Sequence, residues 1–292
     1  MEDNLITLME QQAGSFSKGQ RRIAAYIRDH YEIAAFMTAA RLGETVGVSE
    51  STVVRFATEL GFEGYPGLQQ AVQKLTRSRL TSLQRVQVTR EHMTDDQVLE
   101  AVMAYDLQNL RKTLAELAPD KFKGAVDALV SARRVYVFGA GSCRALAEFL
   151  ARYLNFLIPD VKLVDPAGDA DILEQIIHID GRDVLVGISF PRYSSRAAKT
   201  VKFAKDHGAR VIAITDSPVA PVARQADCCL TAHSDMAAIV DSLVAPMSVI
   251  NALAVAVSLR RMEENRPVLE ELEELWAANK VYHPLREGDQ ES

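Results

Sequence analysis

The chain has 292 residues, 48% hydrophobic and 25% charged, enough for two ordinary domains and typical of a soluble globular protein rather than a disordered or fibrous one. Its net charge of −6 is unevenly spread: residues 1–90 hold 11 basic and 9 acidic side chains, whereas 91–292 hold 22 and 30. A basic first part on an acidic body suits a polyanion-binding head on a small-molecule body, although a solvated helix face gives the same pattern. Three cysteines, with Cys228 and Cys229 adjacent, make no disulfide framework. The acidic start, MEDNLITLMEQQ, is no signal peptide, and a reducing cytoplasm is the expected location.

The first ~75 residues read as short helices with tight turns. Ser17 and Gln20 have the spacing of a capping box, and Ile23, Tyr26, Ile27 and Tyr31 follow as an apolar stripe. A second helix is expected from near Thr38 to Gly47, a third with Ser49 as N-cap, and another after the turn at 61–66. Residues 78–120 are polar and helical in pattern, a linker and a helix carrying Val98, Val102, Tyr105, Leu107, Leu110, Leu114 and Leu117. Lys74, Arg77, Arg79, Arg85 and Arg90 make its approach basic.

From about 131 the period changes. Apolar strands at 133–139, 161–165, 183–190, 209–216 and 228–232 alternate with helical segments, which predicts a doubly wound parallel sheet with helices on both faces. A long helix is expected from about 236. Its apolar run, Leu243–Leu259, is interrupted by Pro246, Ser248, Asn251 and Ser258 and reads as a buried or interface helix, not a membrane span. The acidic amphipathic stretch from Glu263 to Trp276 reads as a packing or solvated end helix.

Two stretches carry chemistry. Residues 41–62, RLGETVGVSESTVVRFATELGF, have the grammar of a helix-turn-helix. Gly47 supplies the turn, Gly43 a close approach, and Leu42, Val46, Val48, Val53, Phe56 and Leu60 a compact seam. Ser49, Glu50, Ser51, Thr52 and Arg55 are left on the outer face, the half that enters a major groove; with Thr38 and Tyr65 they are the candidate DNA-binding residues. The second stretch is VFGAGSCRALAEF, a strand, a glycine turn and a helix start. Gly139, Gly141, Ser142 and Cys143 form a first candidate ligand loop. GISFPRYSS forms a second, with Ser189, Arg192, Tyr193, Ser194 and Ser195, and Thr215 and Ser217 end the next strand at the same sheet edge. A dinucleotide site would want glycine where Arg144 stands, though Asp160 or Asp165 keeps a ribose contact conceivable. His178, His207 and His233 are isolated, no metal spacing occurs, and no cofactor is expected.

Residues 15–75, with Arg22, Ile23, Ala24, Ile27, Leu42, Val46, Val48, Ser49, Thr52, Val53, Arg55, Phe56, Leu60, Gly61, Phe62 and Tyr65, resemble the N-terminal domain of RpiR/MurR-type bacterial transcriptional regulators. Residues 124–262 resemble their partner, the SIS (sugar isomerase) domain, through the GxGS turn at 139–142, DVLVGISF, and 198–218. The resemblance implies a dimeric helical head and a domain that holds a phosphorylated sugar with loop hydroxyls and helix N-termini. Cys143 stands where serine is common, and Pro191-Arg192 stand where serine-glycine is typical. Pro191 has no N–H to give, whereas Arg192 brings a fork of donors that suits a phosphate or a carboxylate.

The expected organisation is a helix-turn-helix domain over 1–77, a helical linker over 78–120, an SIS-like effector domain over 121–262, and a C-terminal helix and tail over 263–292. The expected function is a non-enzymatic transcriptional regulator. It would bind double-stranded operator DNA, sense a small anionic metabolite, self-associate as a homodimer or homotetramer, and bind no membrane. Two other readings stay open: a sugar-phosphate isomerase with an accessory DNA-binding domain, for which Glu148 or His233 would be the base, and a sensor of NAD.

Overall fold

The computed structural model describes residues 2–77, 95–235 and 241–282. Arg79, Arg85, Arg90 and the first part of the expected linker, 78–94, lie outside the described residues, as do 236–240 and the tail from 283. The chain divides into two compact units. One comprises 1–108 with 191–193 and 235–242; the other comprises 109–190, 194–234 and 243–292. Each has its own apolar cluster.

The first unit contains α1 (Glu2–Gln12), α2 (Lys18–Asp29), α3 (Tyr31–Ala34), α4 (Ala39–Val46), α5 (Glu50–Glu59) and α6 (Gly64–Arg77). The capping box at α2 forms: the Ser17 hydroxyl accepts from the Gln20 N–H, and the Gln20 side chain accepts from the Ser17 N–H. The Gln20 amide also donates to Glu59, tying α2 to the end of α5. The seam read from the sequence is the core here. Leu42, Val53 and Phe56 are fully buried, Val46 and Leu60 nearly so, and Phe16 meets Phe56 edge-on at 5.2 Å.

After a short 3₁₀ turn come α7 (Val98–Glu116) and α8 (Pro119–Ser131). Helix α8 starts on Pro119, a residue suited to a first turn because no N–H is needed there. The second unit then runs β1 (Val135–Gly139), α9 (Cys143–Leu154), β2 (Val161–Leu163), α10 (Asp169–Gln175), β3 (Val184–Ile188), α11 (Ser195–Asp206), β4 (Arg210–Thr215), β5 (Cys228–Thr231), α12 (Val244–Arg260) and α13 (Met262–Ala278). All strands are parallel, in the order β2-β1-β3-β4-β5. β1 and β3 are buried throughout, as strands covered on both faces must be. At Gly187 a side chain would meet Val201 of α11 at 2.5 Å, so the missing Cβ sets the helix-to-sheet distance.

The long helix expected from about 236 starts instead at Val244: residues 241–243 are not helical, and Pro246 sits in the first turn, where proline is tolerated. It breaks at Arg261, after which Asn265 anchors α13 by donating to the Leu157 carbonyl at 2.9 Å. Among the described residues no single helix is long and apolar enough to cross a membrane.

Candidate functional site

In the first unit, α4 and α5 form a tight pair. Gly47 adopts φ 70°, a conformation costly for any residue with a Cβ, and caps α4. The Val48 N–H then returns to the Gly43 carbonyl at 2.8 Å. A Cβ on Gly43 would stand 2.8 Å from the Val48 carbonyl oxygen, so the helices cross this closely only with glycine there. The burial of Val53 and Phe56 fixes the rotation of α5 and leaves Ser49, Glu50, Ser51 and Arg55 exposed and Thr52 half-exposed. The Ser49 hydroxyl lies 2.9 Å from that of Ser51 and 2.8 Å from that of Thr52, three hydroxyls grouped on the first turn. Thr38 is exposed and caps α4 by accepting from the Arg41 N–H.

Tyr65 is placed differently from the other candidates. It is 7% exposed and its hydroxyl donates to the Met37 carbonyl at 2.7 Å; burial pushes its pKa up to about 12. It is a core residue joining α6 to the segment before α4, not a surface contact. One residue in this region went unread for its geometry: Arg22 of α2, whose Nη1 donates to the Gly47 carbonyl at 3.2 Å. No local pattern marks this contact, because Gly47 lies 25 residues further along the chain.

In the second unit, β1 lies between β2 and β3, so the chain leaves β1 on one side and β3 on the other. Ligands of open α/β sheets bind at this reversal, outside the carboxyl ends of the strands. The register pairs Gly139 with Ile188, so the loops 139–143 and 189–195 start side by side. A Cβ at Gly139 would collide with the Cys143 carbonyl, and Gly141 has φ 60° with open space where a side chain would be. Ser142 is exposed ahead of α9. Ser189 is 1% exposed; its hydroxyl accepts from the Ser194 N–H at 3.2 Å, while the Ser194 hydroxyl caps α11 by accepting from the Ala197 N–H at 3.3 Å. A hydroxyl that accepts in this way still has its own proton to donate. Ser195 is exposed at the first position of α11, and Arg192 takes φ 40°, rare for a residue with a side chain. Pro191, Arg192 and Tyr193 group with the first unit.

Two candidates in this unit sit behind the loops. Cys143 is buried in the hydrophobic core. Thr215 is fully buried and donates to Asp216 at 3.3 Å, a support for the β4 end. Ser217 is half-buried and accepts from the Val219 N–H. Asp165, the acid considered for a ribose, is held by Arg144 Nη1 at 3.2 Å, and Asp160 by Arg134 Nε at 2.5 Å. Glu148 is bound by Arg144 Nε at 2.7 Å, and the His233 ring meets Glu116 at 2.8 Å. Burial raises the thiol pKa of Cys228, and that of Cys229 to about 11, so neither is an activated nucleophile.

Comparison with known proteins gives a family match for each of the two units. The sequence profile of the helix-turn-helix domain of the rpiR family matches residues 3–78, and that of the SIS domain matches 128–256. The sugar isomerase domain of an RpiR transcription factor from Sphaerobacter thermophilus is 30% identical, covering 61% of this chain and 99% of that one, with a TM-score of 0.58. The chain belongs to the RpiR family of transcription factors. HexR, an HTH-type transcriptional regulator of Pseudomonas aeruginosa, is 26% identical over 282 residues, 93% of this chain and 95% of HexR. Vibrio vulnificus NanR, solved in complex with ManNAc-6P, shares the fold at 16% identity and a TM-score of 0.58, covering 94% of this chain and 98% of that one. As an RpiR-family regulator the chain thus joins a helix-turn-helix unit to an SIS unit, the fold read from its sequence.

Proposed function

We propose that this RpiR-family regulator is a cytoplasmic, non-enzymatic repressor or activator that binds double-stranded operator DNA through α5 and is controlled by a small anionic metabolite at the β1/β3 switch point. It acts as a homodimer or homotetramer. Ser49, Glu50, Ser51, Thr52 and Arg55 face the DNA, and Thr38 holds the start of α4. The hydroxyls of Ser142, Ser189, Ser194 and Ser195 and the N-terminal N–H groups of α9 and α11 meet the effector's acid group, with Arg192 as cation and Tyr193 beside it. The observation that carries the effector reading is the side-by-side exit of the 139–143 and 189–195 loops from paired strands, each leading into a twelve-residue helix. NanR, of the same fold, is complexed with ManNAc-6P, a sugar phosphate, which supports an anionic sugar. Arginine in place of the usual glycine widens the class to sugar acids. Catalysis as an isomerase is disfavoured because neither candidate base, Glu148 or His233, belongs to the 139–143 or 189–195 loops.

The linkage is thermodynamic: an effector shifts DNA affinity only as far as it prefers one arrangement of the subunits over another. The test is thermal denaturation of the full chain with sugar phosphates, sugar acids and free sugars. Anionic sugars should raise the melting temperature of the SIS unit and neutral ones should not, with the shift reduced in Arg192→Ala. Equal stabilisation by free sugars, or none by any anion, overturns the effector assignment.

A further inference from the structure

The α4–α5 turn is met by a cation from outside the helix-turn-helix pair. Gly19 and Arg22 are three residues apart on α2 and therefore share a face. Both reach the turn. A Cβ on Gly19 would stand 3.3 Å from Val48 Cγ1 and 3.5 Å from Thr52 Cγ2, and Arg22 Nη1 donates to the Gly47 carbonyl, two residues before the N-cap of α5. The guanidinium is exposed, and among the described residues it has no carboxylate partner. The contrast with its surroundings is clear: Arg41 on α4 is paired with Glu44 at 2.8 Å, and Glu59 at the far end of α5 takes the Gln20 amide. A single bond to a carbonyl uses one of five N–H donors and leaves the charge uncompensated.

We infer that Arg22 is a phosphate-binding residue of the DNA interface, held beside the recognition helix by its bond to the Gly47 carbonyl. This rests on the reading that α5 enters the major groove. A helix with its side chains is about 10–12 Å across and the groove is about 12 Å wide, so α5 fills it. A cation flanking the first turn of α5 then meets the groove's wall, and that wall is phosphate, not base edge. The arginine fork suits this position, because one N–H holds the turn while the others remain for phosphate oxygens, a division that an ammonium point charge does not make in a fixed plane. Arg22 sets register and adds affinity without reading sequence.

The test is binding of the full chain to a mixed-sequence duplex of about 30 base pairs between about 50 and 200 mM salt, with melting curves for each variant. Arg22→Ala should weaken binding several-fold and make the slope of log K against log salt shallower by about one per bound head. Arg22→Gln keeps a donor for the Gly47 carbonyl without the charge, and should show the same change in slope with an unchanged melting temperature. Arg22→Lys should retain the slope. A lower melting temperature in Arg22→Ala with the slope unchanged in both Arg22→Ala and Arg22→Gln means a purely structural role and overturns the inference alone. If the wild type shows no salt-dependent duplex binding, the DNA-binding reading fails and this inference with it.

Discussion

The two candidate sites use the same backbone devices to different ends. The helix-turn-helix crossing has a left-handed glycine, Gly47, and a close-approach glycine, Gly43; the β1 loop of the SIS unit has Gly141 and Gly139 in the same two roles. The hydroxyls beside each glycine pair are placed differently. At α5 those of Ser49, Ser51 and Thr52 are grouped on an outer face and bond one another. At the sheet edge Ser189 is almost fully buried, with its hydroxyl already oriented by the Ser194 N–H. A surface that meets a polymer needs accessible side chains whose partners change on binding. A site for a small ligand gains from groups fixed in advance, because ordering them on binding would cost affinity.

The sharpest way to break the comparison is to damage one core and watch the other. Phe56→Ala should cost about 3–5 kcal/mol in the helix-turn-helix unit, a large part of a typical domain's stability of about 5–15 kcal/mol. Calorimetry should show the transition of that unit moved far down and that of the SIS unit in place; equal displacement of both would mean that the two cores unfold as one. Gly139→Ala tests the other side. Its new methyl meets the Cys143 backbone, which has no rotamer to move, so the SIS unit should lose about 1–3 kcal/mol. Duplex binding below the melting range should be retained, and its loss would show that the β1 loop reaches the DNA-binding function through more than stability.

The smallest effect is electrostatic. Ion pairing holds several carboxyls of the SIS unit below the usual range: Lys199 and Arg196 act on Asp169, and Arg182 on Asp180. At Asp227 burial pulls upward but is outweighed by Lys205 and the Val211 N–H. In the helix-turn-helix unit Asp29 is lowered by its neighbour Arg28. A carboxyl whose folded pKa is depressed stabilises above its ordinary value and loses that contribution as the pH falls through the folded one. Taking the pH below about 4 should therefore lower the SIS transition more than the other. The exposure of these pairs keeps the difference modest, and an equal drop in both transitions would remove it.

Much of the fold was legible in the sequence because the signals are local. The capping box at Ser17, the left-handed turn at Gly47 and the seam from Leu42 to Leu60 each need only neighbours within a few residues, and all appear as read. The alternation of apolar runs with helical stretches was enough for a parallel α/β sheet. Helix α8 went unread: the helical linker was ended at 120, although Pro119 is suited to the first turn of a further helix. The start of α12 was placed too early because an apolar run does not show where its first turn begins.

By itself the sequence determined the two-part architecture, the helix-turn-helix crossing and the loops that leave the ends of β1 and β3, since each follows from periodicity and from residue types with one conformational use. Only the tertiary structure decided which candidates point where. Tyr65 looked like a surface contact until a carbonyl 28 residues away, that of Met37, claimed its hydroxyl. Thr215, read as the end of a strand lining the ligand edge of the sheet, is fully buried. Strand order, which puts the β1 and β3 loops side by side, and the packing of α2 that carries Arg22 to the turn, depend on contacts between residues far apart in the chain. Such contacts are set by how whole faces bury one another, and no local pattern encodes them.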